Sequence, residues 1–239
     1  MDEKKTAIEV AIEGVFNLVQ QREIFPGSRL FETDLEETLR VSRTSIRQAF
    51  EQLARDGILE KKAGHRGYFF PKLSPEDLHH TFLFREYLED MSIRLVSYNI
   101  TPEQECALRC VLSNEENTNQ DKVIDVYNDL NNGFHITLAR FSGNPYLLKS
   151  VKQVYLRLLF YDFFYSTCMY RIEKDSRENQ QVTATMIVEH ENILNAIVAG
   201  ETPTAQKLMR QHLRAIPLAK EYVLTSDLWG HWSVKGEWG

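Results

Sequence analysis

The sequence predicts a mainly α protein in two parts: a small N-terminal helix-turn-helix unit ending in a hairpin, then a longer antiparallel all-α bundle. Three observations carry that expectation. Apolar residues recur at helical spacing through most of the chain, one pair of short β-type runs falls before residue 72, and no alternating strand pattern follows it. At 239 residues the chain is long enough for one large domain or two ordinary ones.

The first helix lies between Thr6 and Gln21, where Ile8, Val10, Ala11, Val15, Phe16, Leu18 and Val19 keep helical spacing until Phe25-Pro26-Gly27 breaks the run. Glu32 to Leu39 makes a short second helix on Leu35 and Leu39. Val41-Ser42 then offers a serine N-cap for a third helix through Ile46, Ala49, Phe50 and Leu53. Gly57 closes that helix. Ile58 to Lys62 and Gly67 to Phe70 follow as two strands around Ala63-Gly64-His65-Arg66, so residues 1–72 spell a winged helix-turn-helix.

Pro71 to Pro75 is a short polar linker, and Ser74-Pro75-Glu76-Asp77 begins a new helix: serine caps, proline suits the first turn and acids suit its dipole. Helices are expected at about 76–99, 102–118, 121–142, 145–171, 176–199 and 202–224, punctuated by Pro102, Asn144-Pro145, Gly200 and Pro203. Segments of this length on short turns fit an antiparallel bundle over residues 73–224. Residues 225–239 form a tail that holds Trp229, Trp232 and Trp238, expected to anchor on the bundle or a partner subunit or to stay disordered.

Hydrophobic residues at 43% and charged residues at 26% match a globular chain and exclude disordered, collagen-like and coiled-coil classes. No run reaches the ~18 uncharged apolar residues of a membrane span, and MDEKKTAIEV is no secretory signal, so the expected location is cytoplasmic. Cys106, Cys110 and Cys168 form no CxxC, which argues for reduced core thiols rather than a disulfide framework or zinc module. The formal net charge of −6 would argue against nucleic acid, but it is unevenly spread. Residues 1–72 balance 12 Lys and Arg against 12 Asp and Glu, whereas residues 73–239 hold 16 against 22. Within the neutral part, Arg40 to Arg66 carries Arg40, Arg43, Arg47, Arg55, Lys61, Lys62 and Arg66 against only Glu51, Asp56 and Glu60.

The segment Val41 to Phe50 places Arg43 and Arg47 one helical turn apart, with Ser42, Thr44 and Ser45 at the helix start. Hydroxyls and free N–H groups there can hold a phosphate, and an arginine fork can take guanine O6 and N7 together. These residues resemble the GntR family of bacterial transcription regulators: Pro26-Gly27, a recognition helix at Val41 to Phe50, Asp56-Gly57-Ile58 and the wing Gly64-His65-Arg66-Gly67 follow in the family's order. Residues 76–223 are similar to the FCD ligand-binding domain of the FadR subfamily. Ser45 stands where the family usually has proline. The resemblance implies base reading by Arg43 and Arg47, phosphate contacts near Ser42, Thr44 and Ser45, and a wing bearing Gly64, His65 and Arg66 that enters the minor groove.

A second constellation is Asn131, His135, His190 and His212. Asn131 and His135 are four apart, so their side chains leave one helix face together; His190 and His212 fall on two later helices that could converge on it. Spacing alone leaves ordinary surface or core histidines as an alternative. Metal-binding FCD domains carry an Asp-x-x-x-His helix and two further helical histidines, so the resemblance implies a site for Zn, Ni or Mn, with Asn131 in the aspartate's place. A neutral amide is a weaker ligand than a carboxylate. The aromatic run Tyr155 to Tyr170 suits either core packing or the wall of an effector cavity, where Arg85, Arg140, Arg157 and Tyr161 are candidates for a ligand carboxylate.

The resulting expectation is a homodimeric, sequence-specific DNA-binding regulator, a repressor released by a small organic acid, with double-stranded operator DNA as partner. The rival is a metal-dependent hydrolase built on the three histidines, against which stand the missing HExxH spacing and the DNA-reading pattern of residues 1–72.

Overall fold

The structure is a computed structural model that describes residues 5–115, 124, 127, 128, 130–165 and 177–215. The expected tail at 225–239 with its three tryptophans, Cys168 and the side chain of Asn131 lie outside the described residues. The chain forms two compact units: one runs to Leu73 and includes a returning stretch that ends at Leu130, and the other takes the remainder from Ser74.

In the first unit, helix α1 (Ala7–Gln20) starts where Thr6 caps it and Glu9 returns the favour, its carboxylate accepting from the Thr6 N–H at 2.7 Å. Helices α2 (Glu32–Leu39) and α3 (Arg43–Arg55) follow, and α1 and α3 pack on Ala11, Val15, Phe16, Ile46, Ala49, Phe50 and Leu53. Gly14 lets α2 approach α1 closely, since a Cβ there would lie 2.5 Å from Leu39 Cδ2. The α2–α3 turn passes through Arg40 in the left-handed region at φ 52°.

The wing differs from the expected hairpin. Strand β1 (Arg29–Leu30) pairs antiparallel with β2 (Tyr68–Phe69), and the expected strand Ile58 to Lys62 contributes a single bridge, Glu60 to Phe69. The reason is burial: Ile58 and Leu59 turn into the core and Ile58 and Leu59 both donate to the carbonyl of Leu53 at the end of α3, so only Glu60 reaches the ladder. Arg29 then braces the wing, donating from Nε and Nη2 to the Arg66 carbonyl at 2.8 and 2.6 Å. Gly67 is required where these pieces cross, because it has φ +80° and a Cβ would sit 2.6 Å from the Leu30 carbonyl.

Within the same unit, Tyr127 from the returning stretch rests its ring 5.0 Å from that of Phe16 and donates to Asp56 at 2.8 Å. Burial and the neighbouring Asp56 carboxylate both raise its phenol above the ordinary range, so the hydroxyl stays a donor.

The second unit is all helical among the described residues: α4 (Pro75–Asn99), α5 (Pro102–Glu115), a 3-10 turn at Leu130–Asn132, α6 (Phe134–Phe141), α7 (Pro145–Tyr165), α8 (Arg177–Val198) and α9 (Thr202–Ala215). Ser74 caps α4 as expected, accepting from Asp77 N. One expected helix is broken: 121–142 gives way to the 3-10 turn, and α6 starts only after Gly133, its N-cap. Asn131-Asn132-Gly133 are poor helix formers, so Asn131 and His135 do not share one α-helical face. Helix α4 packs against α6, α7 and α9, and α8 packs against α5 and α9. Ile93, Val96, Leu108, Phe134, Leu138, Ile193, Ile197, Met209 and Leu213 form the shared core. Cys106 and Cys110 are exposed rather than core thiols, because Leu108 and Leu112 take the inward positions of α5.

Candidate nucleic-acid interface and candidate metal centre

Helix α3 is two-faced. Ile46, Ala49, Phe50 and Leu53 are buried, while Arg43, Arg47, Thr44 and Gln48 face outward. Ser42 caps the helix by accepting from Ser45 N at 3.2 Å, and the two serine Oγ atoms lie 2.9 Å apart, so hydroxyls and unpaired N–H groups gather at the positive end of the dipole. Ser45 is half-buried in the first turn of the helix. On the wing, Gly64, His65 and Arg66 are all exposed. Lys61 and Lys62 stand over the rings of Tyr68 and Phe69 at 5.3 and 4.4 Å, which holds two cations beside the wing tip.

The three histidines converge in the bundle. His135 on α6, His190 on α8 and His212 on α9 are each at most 5% exposed, and their ligand-capable atoms all lie within 4.8 Å of one another. His190 Nε2 and His212 Nε2 are 3.2 Å apart, and Phe134 stacks on His190 with centroids 4.6 Å apart. Burial lowers the pKa of His135, helped by Arg85 and His190 and opposed by Glu89. Burial also lowers that of His212, reinforced by the other two imidazoles and Arg85. Neutral imidazoles are the form that binds a metal ion.

Two carboxylates that sequence reasoning passed over complete this centre. Glu189 Oε2 accepts from His212 Nδ1 at 2.8 Å, and Glu89 Oε1 lies 3.0 Å from His135 Nδ1, at hydrogen-bonding distance but not well aligned. Glu89 is wholly buried, and its Oε2 has no partner among the described residues. Burial would raise its pKa, but its close contacts with His135 and Arg85 outweigh burial and hold it below the ordinary range. A signal was present: Leu78, Phe82, Arg85, Glu89, Ser92, Ile93 and Val96 form one buried stripe on α4, and charged residues on an apolar stripe mark a built polar centre.

The effector candidates separate. Arg85 borders the histidines, 3.4 Å from Glu89 and 5.3 Å from the Tyr155 ring centroid. Arg157 and Tyr161 instead meet at the start of α4. Arg157 Nε and the Tyr161 hydroxyl both donate to Asp77 Oδ2, at 2.9 and 2.6 Å, and the hydroxyl accepts from Ser74 N at 2.8 Å. Arg140 is exposed at the end of α6.

A serine-capped arginine helix beside a basic wing places the protein in the class of helix-turn-helix DNA-binding regulators. Residues 9–69 match the bacterial regulatory proteins of the gntR family, and residues 80–215 match the FCD domain. The chain belongs to the GntR family, in the FadR-like group with a C-terminal FCD domain, and is a transcription regulator rather than an enzyme. It is 30% identical over 135 residues to the Nta operon transcriptional regulator of Aminobacter aminovorans, a match covering 56% of this chain and 63% of that one. It is 22% identical to the HTH-type transcriptional repressor RspR of Escherichia coli over 81% of this chain and 79% of the relative. The fold matches that of E. coli McbR/YncC with a TM-score of 0.63 at 19% identity, over 92% of this chain and all of the other. Among the described residues no helix is long and apolar enough to cross a membrane.

Proposed function

We propose that the protein is a homodimeric repressor whose helix α3 reads one half of a two-fold operator and whose bundle binds a small organic acid that releases the DNA. The outward pair Arg43 and Arg47 on the serine-capped helix carries this reading, because two forks one turn apart suit neighbouring bases in a major groove. Gly64, His65 and Arg66 track the minor groove, and Ser42, Thr44 and Ser45 approach phosphate. The relative RspR bears the name of a repressor, which favours repression.

Dimer formation is supported by an apolar stripe on the outer face of α4: Leu83, Phe84, Tyr87, Met91, Leu95 and Tyr98 are all exposed, Tyr87 at 75% and Tyr98 at 84%. Such a stripe on a 25-residue helix is what a two-fold helix pair covers. His135, His190 and His212 would hold Zn, Ni or Mn, and their mutual distances and burial fit one ion. The ion would supply a Lewis-acidic anchor; Arg85 beside it would take an effector carboxylate. Footprinting the protein on the DNA upstream of its own gene, with and without small carboxylic acids, is the test. Protection of a two-fold site lost on adding an acid is expected, and no protection anywhere would overturn the reading.

A further inference from the structure

A divalent ion among three neutral imidazoles would leave its charge uncompensated in a buried setting, which is costly without an anion nearby. Position 131 offers an amide and no charge. Two carboxylates reach the histidines, one from α4 and one from α8, each within 3.0 Å of the Nδ1 of a different ring. With Nδ1–H given to a carboxylate, the lone pair of that imidazole resides on Nε2; His212 turns its Nε2 toward His190. A carboxylate in this position also makes the imidazole a stronger donor to a metal.

We propose that Glu89 and Glu189 are positioning residues of the histidine centre: Glu189 fixes His212 through its hydrogen bond, Glu89 faces His135 Nδ1 at 3.0 Å, and together they supply beside the rings the negative charge that position 131 does not. The proposal rests on the reading of the three histidines as the seat of a divalent ion. Arg85 is part of the device, since its guanidinium lies 3.4 Å from Glu89 and orients that carboxylate inside the bundle. Glu189 is partly exposed, with its side chain at 33%, so its replacement by glutamine leaves the fold in place.

The test uses full-length, tag-free protein washed with chelator and titrated with Zn²⁺ against a competing dye, comparing wild type, Glu189→Gln and Glu89→Gln. Long-range ¹H–¹⁵N spectra of the histidine rings are recorded on the metal-free samples. Wild type is expected to bind one ion per chain, and each variant to bind about 10–100-fold more weakly. His212 should carry its proton on Nδ1 in wild type and show mixed tautomers in Glu189→Gln, a change that a merely packing role would not produce. If Glu89→Gln does not fold, Glu189→Gln decides alone. Wild type that binds while Glu189→Gln stays within about threefold of it, with His212 still protonated on Nδ1, overturns the proposal and leaves the metal reading standing. Wild type that binds no ion removes the metal reading and the proposal with it.

Discussion

Arg43 and Arg47 face solvent on a helix whose inner side is fully packed, so replacing either should leave stability unchanged and act on DNA alone. Each Arg→Ala change should cost about 1–3 kcal/mol of discrimination, read as the affinity ratio between operator and a site with the contacted base changed. Lys61→Ala or Lys62→Ala should instead weaken binding to every sequence and flatten its salt dependence, because those ammonium groups sit beside the wing without base-reading geometry. The basic run and the serine cap were legible from residue type and order alone. Glu89 was not, because nothing local distinguishes an inward glutamate from an outward one until the phase of α4 is fixed by Leu78, Phe82, Ile93 and Val96. Glu189 carries no signal within its own helix, because its partner His212 lies on the next one.

At the level of elements, the helices of the first unit were readable from caps and breakers, and α2 and the start of α4 fall where Glu32 and Ser74 signalled them. The wing was half-legible: a two-residue strand such as Arg29–Leu30 has no periodicity to detect, and its pairing with Tyr68–Phe69 is fixed by tertiary packing. The break before α6 was written in Asn131-Asn132-Gly133, and spacing arithmetic that assumes one continuous helix overrode it. Arg40 offers a test of element chemistry, since a side chain in the left-handed region is strained where glycine is not. Arg40→Gly should raise thermal stability by about 0.5–1 kcal/mol, the relief of strain exceeding the added chain entropy; a lower melting temperature would show that Arg40 is held by contacts worth more than the strain.

For the whole molecule, sedimentation should show a dimer at micromolar concentration, and Tyr87→Glu combined with Met91→Glu should give folded monomers by placing charge on the α4 stripe. A variant that stays dimeric would move the interface elsewhere. Acid should unfold the metal-free protein early. Burial holds His135 and His212 below the ordinary range, whereas the unfolded chain protonates them near ~6.5, so their contribution is intact above that pH and is lost as pH falls toward the folded values. The slope is at most ~1.4 kcal/mol per pH unit for each histidine, and melting curves between pH 7.5 and 5.5 should be shallower for His212→Gln; an unchanged slope would contradict it. The contact of Tyr127 with Phe16 and Asp56 also carries a message about time. A ribosome makes α1 and α3 first, yet an aromatic neighbour of Phe16 and a hydrogen-bonding partner of Asp56, 71 positions further along, emerge only after α4 and α5 have been synthesised. The nascent winged helix must therefore wait, folded without its last brace, while a loop of that length closes, so its final consolidation is delayed until the chain has been made past Leu130.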